Sequence, residues 1–176
     1  MLLGFACASL GRHEEAMRAY KAAIHRKPKY AEAYNNLGNE YIRLKQYNEA
    51  LELYTEAVSL NPEGADAFNG LGEALRNLGR LEEAIVEYKH AVVLKPDYAI
   101  AYQNLGLTYV AQNQCRNAAV ALQRAVEFDP DNGPGHHNLG VVLLCTGDRA
   151  GAIREYNTLK TLSPELAEKL NRLIAK

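Results

Sequence analysis

The chain has 176 residues, 48% of them hydrophobic, and its 20 basic and 21 acidic residues leave a net charge of −1. This length and apolar content are sufficient for a continuous core. The charge balance argues against an electrostatic partner such as nucleic acid or an anionic membrane surface. We therefore expect no nucleic-acid partner and no membrane partner.

The apolar residues 1–7 have the appearance of an export signal. They lack a preceding basic segment and are too short, and Leu3 and Gly4 already follow a pattern that returns along the chain. No apolar run approaches the roughly 18 residues that a membrane-spanning helix needs. We therefore expect a cytoplasmic protein.

A 34-residue pattern, seen first as a complete copy in residues 31–64, repeats along the chain without an insertion. Counted from Ala31 as position 1, Gly recurs at position 8, Ala at position 20 and Pro at position 32 in all five copies. The recurring glycines are Gly4, Gly38, Gly72, Gly106 and Gly140. Self-similarity at a fixed period predicts a repeat protein.

Each copy contains two stretches of apolar and small residues at helical spacing, at positions 3, 4, 7, 8 and 11 and at positions 20, 24, 27 and 28. Position 15, between them, carries Gly or Asn in four of five copies, which is typical of a helix end. Pro at position 32 prevents the second helix from continuing. We predict helix pairs over 1–30 (beginning inside its first helix), 31–64, 65–98, 99–132 and 133–166, then a capping helix over 164–175.

The pattern resembles the tetratricopeptide repeat over residues 1–166. The aromatic residue of that family at position 4 is present as Tyr34, Phe68 and Tyr102, and His136 departs from it. Leu122 and Leu159 also depart from the family pattern, at positions 24 and 27. The resemblance implies an all-α, right-handed superhelical solenoid of five tandem helix-turn-helix units, with a non-catalytic role in protein-protein interaction.

Residue types that carry chemistry are sparse. Cys7, Cys115 and Cys145 are odd in number and lack Cys-x-x-Cys spacing, so neither a disulfide framework nor a zinc site is predicted, with a mild preference for a reducing compartment. The five histidines do not have the spacing of metal ligands. No phosphate-binding loop or nucleophile elbow is present. We expect no catalytic residue, no metal and no cofactor.

In the family that the chain resembles, the first helix of each unit lines a concave face with positions 2, 5, 6, 9, 12 and 13. This implies a binding surface that is rich in amides in the second and third units and more apolar toward the C-terminus. Position 2 adds the acidic side chains of Glu32 and Asp66. The candidate residues for binding a peptide or a protein partner are Asn35, Asn36, Asn39, Asn69, Glu73, Arg76, Gln103, Asn104, Leu107, Val110, His137, Asn138, Val141 and Leu144.

Two alternatives to a simple interaction scaffold stay open. Asn36, Asn104 and Asn138 share position 6, where an amide can pair with a peptide backbone, and they resemble the asparagine ladder in the repeat arm of protein O-linked N-acetylglucosamine transferases. Gly70 interrupts this ladder. The chain is then the substrate-recruiting arm of a larger enzyme. In the other alternative, Leu2, Leu3 and Phe5 form an uncovered N-terminal edge through which the chain self-assembles into a homo-oligomer.

Overall fold

The computed structural model describes residues 2–175, except for the side chain of Phe5. These residues form eleven α-helices and no β-strand, so the predicted all-α fold is confirmed. None of these helices is both long and apolar enough to cross a bilayer. The helices are α1 (Leu2–Ser9), α2 (His13–Arg26), α3 (Ala31–Arg43), α4 (Tyr47–Leu60), α5 (Ala65–Asn77), α6 (Leu81–Leu94), α7 (Ala99–Ala111), α8 (Cys115–Phe128), α9 (Gly133–Thr146), α10 (Arg149–Leu162) and α11 (Pro164–Ile174).

The turn between the two helices of each unit places position 15 in the left-handed backbone conformation. Gly11, Gly79 and Gly147 have φ values of 74°, 78° and 84°, and Asn113 has a φ of 58°. Lys45 also has a φ of 58°, although its residue type rarely adopts this conformation. The repeat therefore imposes the backbone conformation at this position even where the residue does not favour it.

The glycine at position 8 allows the two helices of a unit to approach closely. A Cβ atom built on Gly38 would lie 2.9 Å from Cε1 and Cζ of Tyr54, which is fully buried on α4. The Tyr54 ring therefore packs directly against the backbone of α3 at Gly38. In the last unit the corresponding space beside Gly140 is filled by Leu170 of α11, whose Cδ2 would lie 2.5 Å from an added Cβ. The C-terminal helix thus covers the final helix pair.

The chain divides into two compact units, one ending at Leu94 and one beginning at Lys95. The first contains a core cluster of Cys7, Ala16, Tyr20 and Leu37. The second contains two clusters, one between α8 and α9 around Leu122 and Leu139 and one beneath α11 around Leu159 and Leu170. Leu122 and Leu159, which depart from the family pattern, are both fully buried, so they serve as core residues.

His136 departs from the aromatic pattern because it anchors a polar contact below the surface. It is only 8% exposed. Its Nδ1 lies 2.6 Å from Oε2 of Glu155, and its Nε2 lies 2.9 Å from the carbonyl oxygen of Pro130. A buried imidazole needs such partners, because an unpaired buried polar atom is costly. His136 thereby ties α9 to α10 and to the preceding turn.

The expectation from the sequence that the chain has no disulfide is wrong. Cys115 and Cys145 form a disulfide with a Cα–Cα distance of 6.2 Å, while Cys7 is a buried free thiol. Cys115 begins α8 and Cys145 lies near the end of α9, and these two helices pack against each other. Local cysteine spacing could not reveal the pair, because the packing of neighbouring helices joins residues 30 positions apart. Disulfides persist mainly in oxidising compartments, so the mild preference for a reducing compartment, drawn from the cysteines, no longer holds.

Candidate functional site

In the first compact unit, the predicted polar residues lie on α3 and α5, two first helices that contact each other. On α3, Asn35 and Asn36 are half-buried and Asn39 is exposed. The corresponding residues of α5 are less accessible, since Asn69 is 8% exposed. Glu73 and Arg76 of α5 are half-buried.

Two contacts of Tyr54 modify the predicted row of amides. The Tyr54 hydroxyl donates a hydrogen bond of 2.6 Å to Oδ1 of Asn39, so this amide also serves the interior. A Cβ atom built on Gly70 would overlap the Tyr54 ring, so no asparagine could replace that glycine without moving the ring. The interruption of the row at Gly70 is therefore a consequence of packing.

In the second compact unit, the predicted residues lie on α7 and α9, which also contact each other. Gln103, Asn104 and Leu107 of α7 are half-buried, and Val110 is 39% exposed. On α9, His137 and Asn138 are half-buried.

The two apolar residues predicted on α9 have an internal role. Val141 and Leu144 are half-buried and pack against the cluster beneath α11. Part of their apolar surface is therefore already covered by the C-terminal helix. The apolar part of the predicted surface is correspondingly smaller than the sequence suggested.

A small pocket opens beside Asn35, between the first turn of α3, the end of α4 and the start of α5. Its volume is about 120 Å³. Oδ1 of Asn35 is buried and has no hydrogen-bond partner. The lining residues are Ala31, Glu32, Asn35, Ala57, Asn61, Gly64, Asp66 and Ala67. We refer to this cavity as the Asn35 pocket.

The rim of the Asn35 pocket is acidic. Glu32 and Asp66 are both exposed, and within residues 2–175 neither carboxylate forms an ion pair. Glu32 accepts a hydrogen bond of 3.3 Å from the Tyr30 hydroxyl. Burial and the nearby Glu32 carboxylate together raise the pKa of Tyr30. The Tyr30 phenol thus remains a neutral donor beside the pocket.

The equivalent place in the second compact unit, beside Gln103, is filled. Gln103 takes the position of Asn35, and Asn132 takes that of Gly64. Nδ2 of Asn132 donates to Oε1 of Gln103 at 3.1 Å and to Oδ2 of Asp129 at 3.0 Å. Oδ1 of Asn132 accepts from the backbone N–H of Gly135 at 2.8 Å and so caps α9. The side chain of Asn132 therefore provides Gln103 with a hydrogen-bond donor, whereas Gly64 has no side chain to offer Asn35.

One further histidine, His13, has contacts that were not apparent from the sequence, and it is satisfied within the fold. His13 Nδ1 lies 2.9 Å from Oε2 of the buried Glu40, and its Nε2 lies 2.7 Å from a guanidinium nitrogen of Arg43. His136 pairs with Glu155 as described above. Within the described chain, no group of three or more His, Cys, Asp or Glu side chains is arranged to hold a metal ion.

Comparison with protein families and solved structures follows the repeat pattern. A model of the TPR repeat matches residues 4–44 and 72–113. Three models of the tetratricopeptide repeat match residues 31–63, 53–86 and 99–132. None of the curated proteins compared with the chain matches it.

Similar solved structures include MamA, which is 26% identical with a TM-score of 0.81 over 96% of this chain and 98% of that chain. MamA from Desulfovibrio magneticus RS-1, residue 41 to the end, is 25% identical with a TM-score of 0.79 over 92% of each chain. YrrB, a TPR protein with an unusual peptide-binding site, is 23% identical with a TM-score of 0.75 over 96% of this chain and 88% of that chain. At this identity, the likeness to YrrB shows the fold alone.

Proposed function

Because the chain belongs to the tetratricopeptide repeat family, whose models together match it from residue 4 to residue 132, we propose that it is a non-catalytic protein-interaction scaffold. Each compact unit offers its own binding surface, the accessible faces of α3 and α5 in the first and of α7 and α9 in the second. The ligand is a peptide or a helical segment of a partner protein. YrrB provides an example of a peptide-binding site in a protein of this fold.

The observation that carries this proposal is that the side chains of Asn36 and Asn138 lie at the surface of first helices without an internal hydrogen bond. Both side chains are half-buried on first helices, and neither makes a hydrogen bond to another described residue. An amide can donate to and accept from the backbone of a bound peptide. Neither asparagine is needed for the cores described above, so an external partner gives these amides a role that packing does not.

The proposal is tested by replacing these two amides. Asn36→Ala/Asn138→Ala should weaken binding of the captured segment about fivefold, whichever compact unit holds it, since one lost hydrogen bond contributes about 1 kcal/mol and 1.4 kcal/mol is tenfold in affinity. The partner is first captured from the source cell with the wild-type chain. Its binding segment is then synthesised, and its dissociation constant is measured by fluorescence anisotropy.

A matched control is Asn48→Ala/Asn157→Ala, which removes two exposed asparagines from the second helices α4 and α10. This variant should bind like the wild type. Equal affinity for the wild type and Asn36→Ala/Asn138→Ala, with helicity unchanged, would contradict a binding role for the first-helix faces.

A second candidate function is self-association through the N-terminal edge. Leu2 is 89% exposed and Leu3 is 69% exposed. Leu3 also lines a predominantly apolar depression together with Ala19, Ala22 and Ala23 of α2. Sedimentation equilibrium of the wild type and of Leu3→Glu tests this function. A mass that is independent of concentration and equal for both proteins would exclude it. The enzyme-arm alternative stays a prediction, tested by the presence of a catalytic domain in the full-length source protein.

A further inference from the structure

The disulfide between Cys115 and Cys145 lies at the protein surface. Cys145 is exposed and Cys115 is half-buried. Both line a surface depression of about 550 Å³, together with Asn113, Gln114, Arg116, Asn117 and Thr146. The free thiol of Cys7 is different, since this residue is 4% exposed and lies in a core cluster. A thiol in solution can therefore approach the disulfide of the folded protein, whereas it cannot approach Cys7.

The two cysteines lie at opposite ends of their helices. Cys115 is the first residue of α8, whereas Cys145 is the last residue but one of α9. The N-terminus of a helix carries a positive partial charge and stabilises a thiolate, and the C-terminus carries a negative partial charge and destabilises one. The sulfur that forms the more stable thiolate leaves faster when a disulfide is opened. Cys115 is therefore the better leaving group of the two.

The first turn of α8 also lacks a negative charge that the other second helices have. Position 19 of the repeat lies in this turn and carries a glutamate in each of the first three units, namely Glu15, Glu49 and Glu83. In α10, the carboxylate of Asp148 caps the helix by accepting a hydrogen bond of 2.8 Å from the backbone N–H of Gly151. The neutral Asn117 occupies position 19 in α8, whose first turn contains no acidic residue. A thiolate on Cys115 thus meets no carboxylate from this turn.

The N-terminus of α8 keeps its positive character in the structure. The side chain of Gln114, the N-cap residue, makes no hydrogen bond that caps the helix. Its Oε1 instead accepts a hydrogen bond of 2.8 Å from Nδ2 of Asn117. Arg116 follows Cys115 directly and is exposed. Both the helix terminus and a neighbouring cation therefore favour a thiolate on Cys115.

We propose that Cys115 and Cys145 form a site of reversible thiol–disulfide exchange with low-molecular-weight thiols. The incoming thiol loses its proton to solvent, and its thiolate attacks Sγ of Cys145. The bond between the two cysteine sulfurs breaks, and its electron pair leaves on Sγ of Cys115 as a thiolate. The product is a mixed disulfide between Cys145 and the small molecule.

Two reactions can follow, and both balance. In the first, the Cys115 thiolate attacks Sγ of Cys145, expels the small thiolate and restores the original disulfide. In the second, another small thiolate attacks the small-molecule sulfur of the mixed disulfide and releases Cys145. The cysteine pair then gains two electrons and takes two protons from solvent, and the two small thiols are oxidised to their own disulfide. This site is independent of the proposed scaffold function.

The test determines which cysteine carries the adduct. The oxidised full chain is incubated with reduced glutathione, and early samples are quenched with acid and alkylated with N-ethylmaleimide. Trypsin cleaves after Arg116 and Arg124, so the two cysteines lie on different peptides and mass spectrometry locates the adduct. The opposite helix termini predict an excess of the adduct on Cys145 over Cys115 of at least about threefold. We expect no adduct on Cys7.

The dependence of the rate on glutathione concentration shows whether the folded protein reacts. Direct attack on an accessible disulfide gives a rate of disulfide loss that rises in proportion to the thiol concentration. A disulfide that is exposed only by unfolding gives a rate that levels off at the rate of unfolding. We expect the proportional rise.

A matched pair of variants tests the role of the helix terminus. Asn117→Glu restores the glutamate of position 19 beside Cys115, and it should slow the exchange about two- to threefold and reduce the preference for Cys145. Gln123→Glu makes a similar change of charge at an exposed residue in the third turn of α8, and it should react like the wild type. Circular dichroism verifies that both variants are folded.

Three results would overturn the proposal. The first is an adduct that is shared equally or lies mainly on Cys115. The second is a rate of disulfide loss that levels off as glutathione is raised. The third is the same rate for Asn117→Glu and Gln123→Glu. None of these results bears on the scaffold function, because no partner segment takes part in the experiment.

Discussion

The Asn35 pocket and the site beside Gln103 occupy the same positions of the repeat. The first is an open pocket, whereas the second contains the side chain of Asn132, which is hydrogen-bonded to Gln103. Gly64 and Asn132 even share one backbone conformation, with φ and ψ of −81° and 85° for Gly64 and −77° and 87° for Asn132. The framework therefore positions both sites identically. The two sites differ at position 34, where only Asn132 has a side chain, and at position 5, where Gln103 is longer than Asn35. Only the second site has the internal hydrogen bond. Repeat proteins can thus acquire distinct local sites without altering their helices.

The largest expected effect on the free energy of unfolding comes from the disulfide, which occurs in the second compact unit and not in the first. The disulfide links position 17 of one repeat to position 13 of the next, where the second and third repeats have Tyr47 and Asn77. Cys115→Ser/Cys145→Ser should lower the free energy of unfolding by about 3–4 kcal/mol, because the crosslink closes a loop of intermediate length. Urea unfolding followed by circular dichroism measures this loss.

The position of the loss is as informative as its size. Amide hydrogen exchange should accelerate in α8 and α9 and stay unchanged in α3 and α4, since stability in a repeat array is approximately local. The wild type in reducing buffer should reproduce the double variant. Unchanged unfolding on reduction would contradict a stabilising role of the crosslink.

Exchanging the residues at position 34 should exchange the properties of the two pocket sites. Asn132→Gly should lower the free energy of unfolding by about 1–1.5 kcal/mol, through loss of the cap on α9 and of the hydrogen bond to Gln103. Gly64→Asn should raise it by about 0.5–1 kcal/mol, because the new side chain can cap α5 and glycine no longer increases the entropy of the unfolded chain.

A steric condition applies to Gly64→Asn. A Cβ atom on Gly64 would lie 3.2 Å from both the side-chain nitrogen and the carbonyl oxygen of Asn61, so this neighbour must move slightly. The double variant Gly64→Asn/Asn132→Gly serves as the control and should be near the sum of the two single effects, because the sites are separate. A destabilised Gly64→Asn would show that Asn61 cannot move.

Position 24 provides a second pair of equivalent residues with different surroundings. The Tyr54 hydroxyl bonds to Asn39, whereas the hydroxyl of Tyr88 is buried without a partner and Glu73 takes the position of Asn39. Tyr54→Phe should cost about 1 kcal/mol, and Tyr88→Phe should leave stability unchanged or raise it by up to about 1 kcal/mol. Thermal unfolding of the two variants in parallel gives this difference, and equal losses would contradict it.

Tyr88 also makes the stability of the fold depend on alkaline pH. Burial is the main cause that raises the pKa of Tyr88. Arg76 lowers this pKa and Glu73 raises it, both by smaller amounts. The folded state therefore favours the neutral phenol. Its contribution to stability is present below the unfolded value of about 10 and is lost as the pH rises beyond it, when the unfolded chain ionises first. Tyr88→Phe should reduce the loss of stability between neutral and strongly alkaline pH.

The smallest effect is expected at position 15, where Lys45 has the positive φ that Gly79 has in the next repeat. Lys45→Gly should raise the free energy of unfolding by about 0.5–1 kcal/mol. The substitution relieves a left-handed conformation that costs an L-residue about 1–2 kcal/mol. Part of this gain is offset, because glycine increases the entropy of the unfolded state. Asn113→Gly should gain less, because asparagine tolerates this conformation. Chemical denaturation resolves the two variants, and an equal gain would contradict this explanation.

Much of the fold could be predicted from periodicity, because each position of the repeat reports the same local environment several times. Gly38 and Tyr54 illustrate this, since the small residue and the aromatic residue recur together and pack together. Less of the candidate site could be predicted. Asn35 and Asn36 lie half-buried on α3, and their role in binding stays a prediction. The partner of Asn39 and the cover over Val141 and Leu144 depend on other helices.

The sequence by itself determined the repeat length, the helix pairs, the turn conformation at position 15 and the family, because these properties depend on residues close in the chain. Only the tertiary structure decided which distant side chains meet. The disulfide between Cys115 and Cys145, the contact of His136 with Glu155 and the unfilled space beside Asn35 all arise where separate helices approach. Their physical origin is packing between elements, to which no local pattern is sensitive.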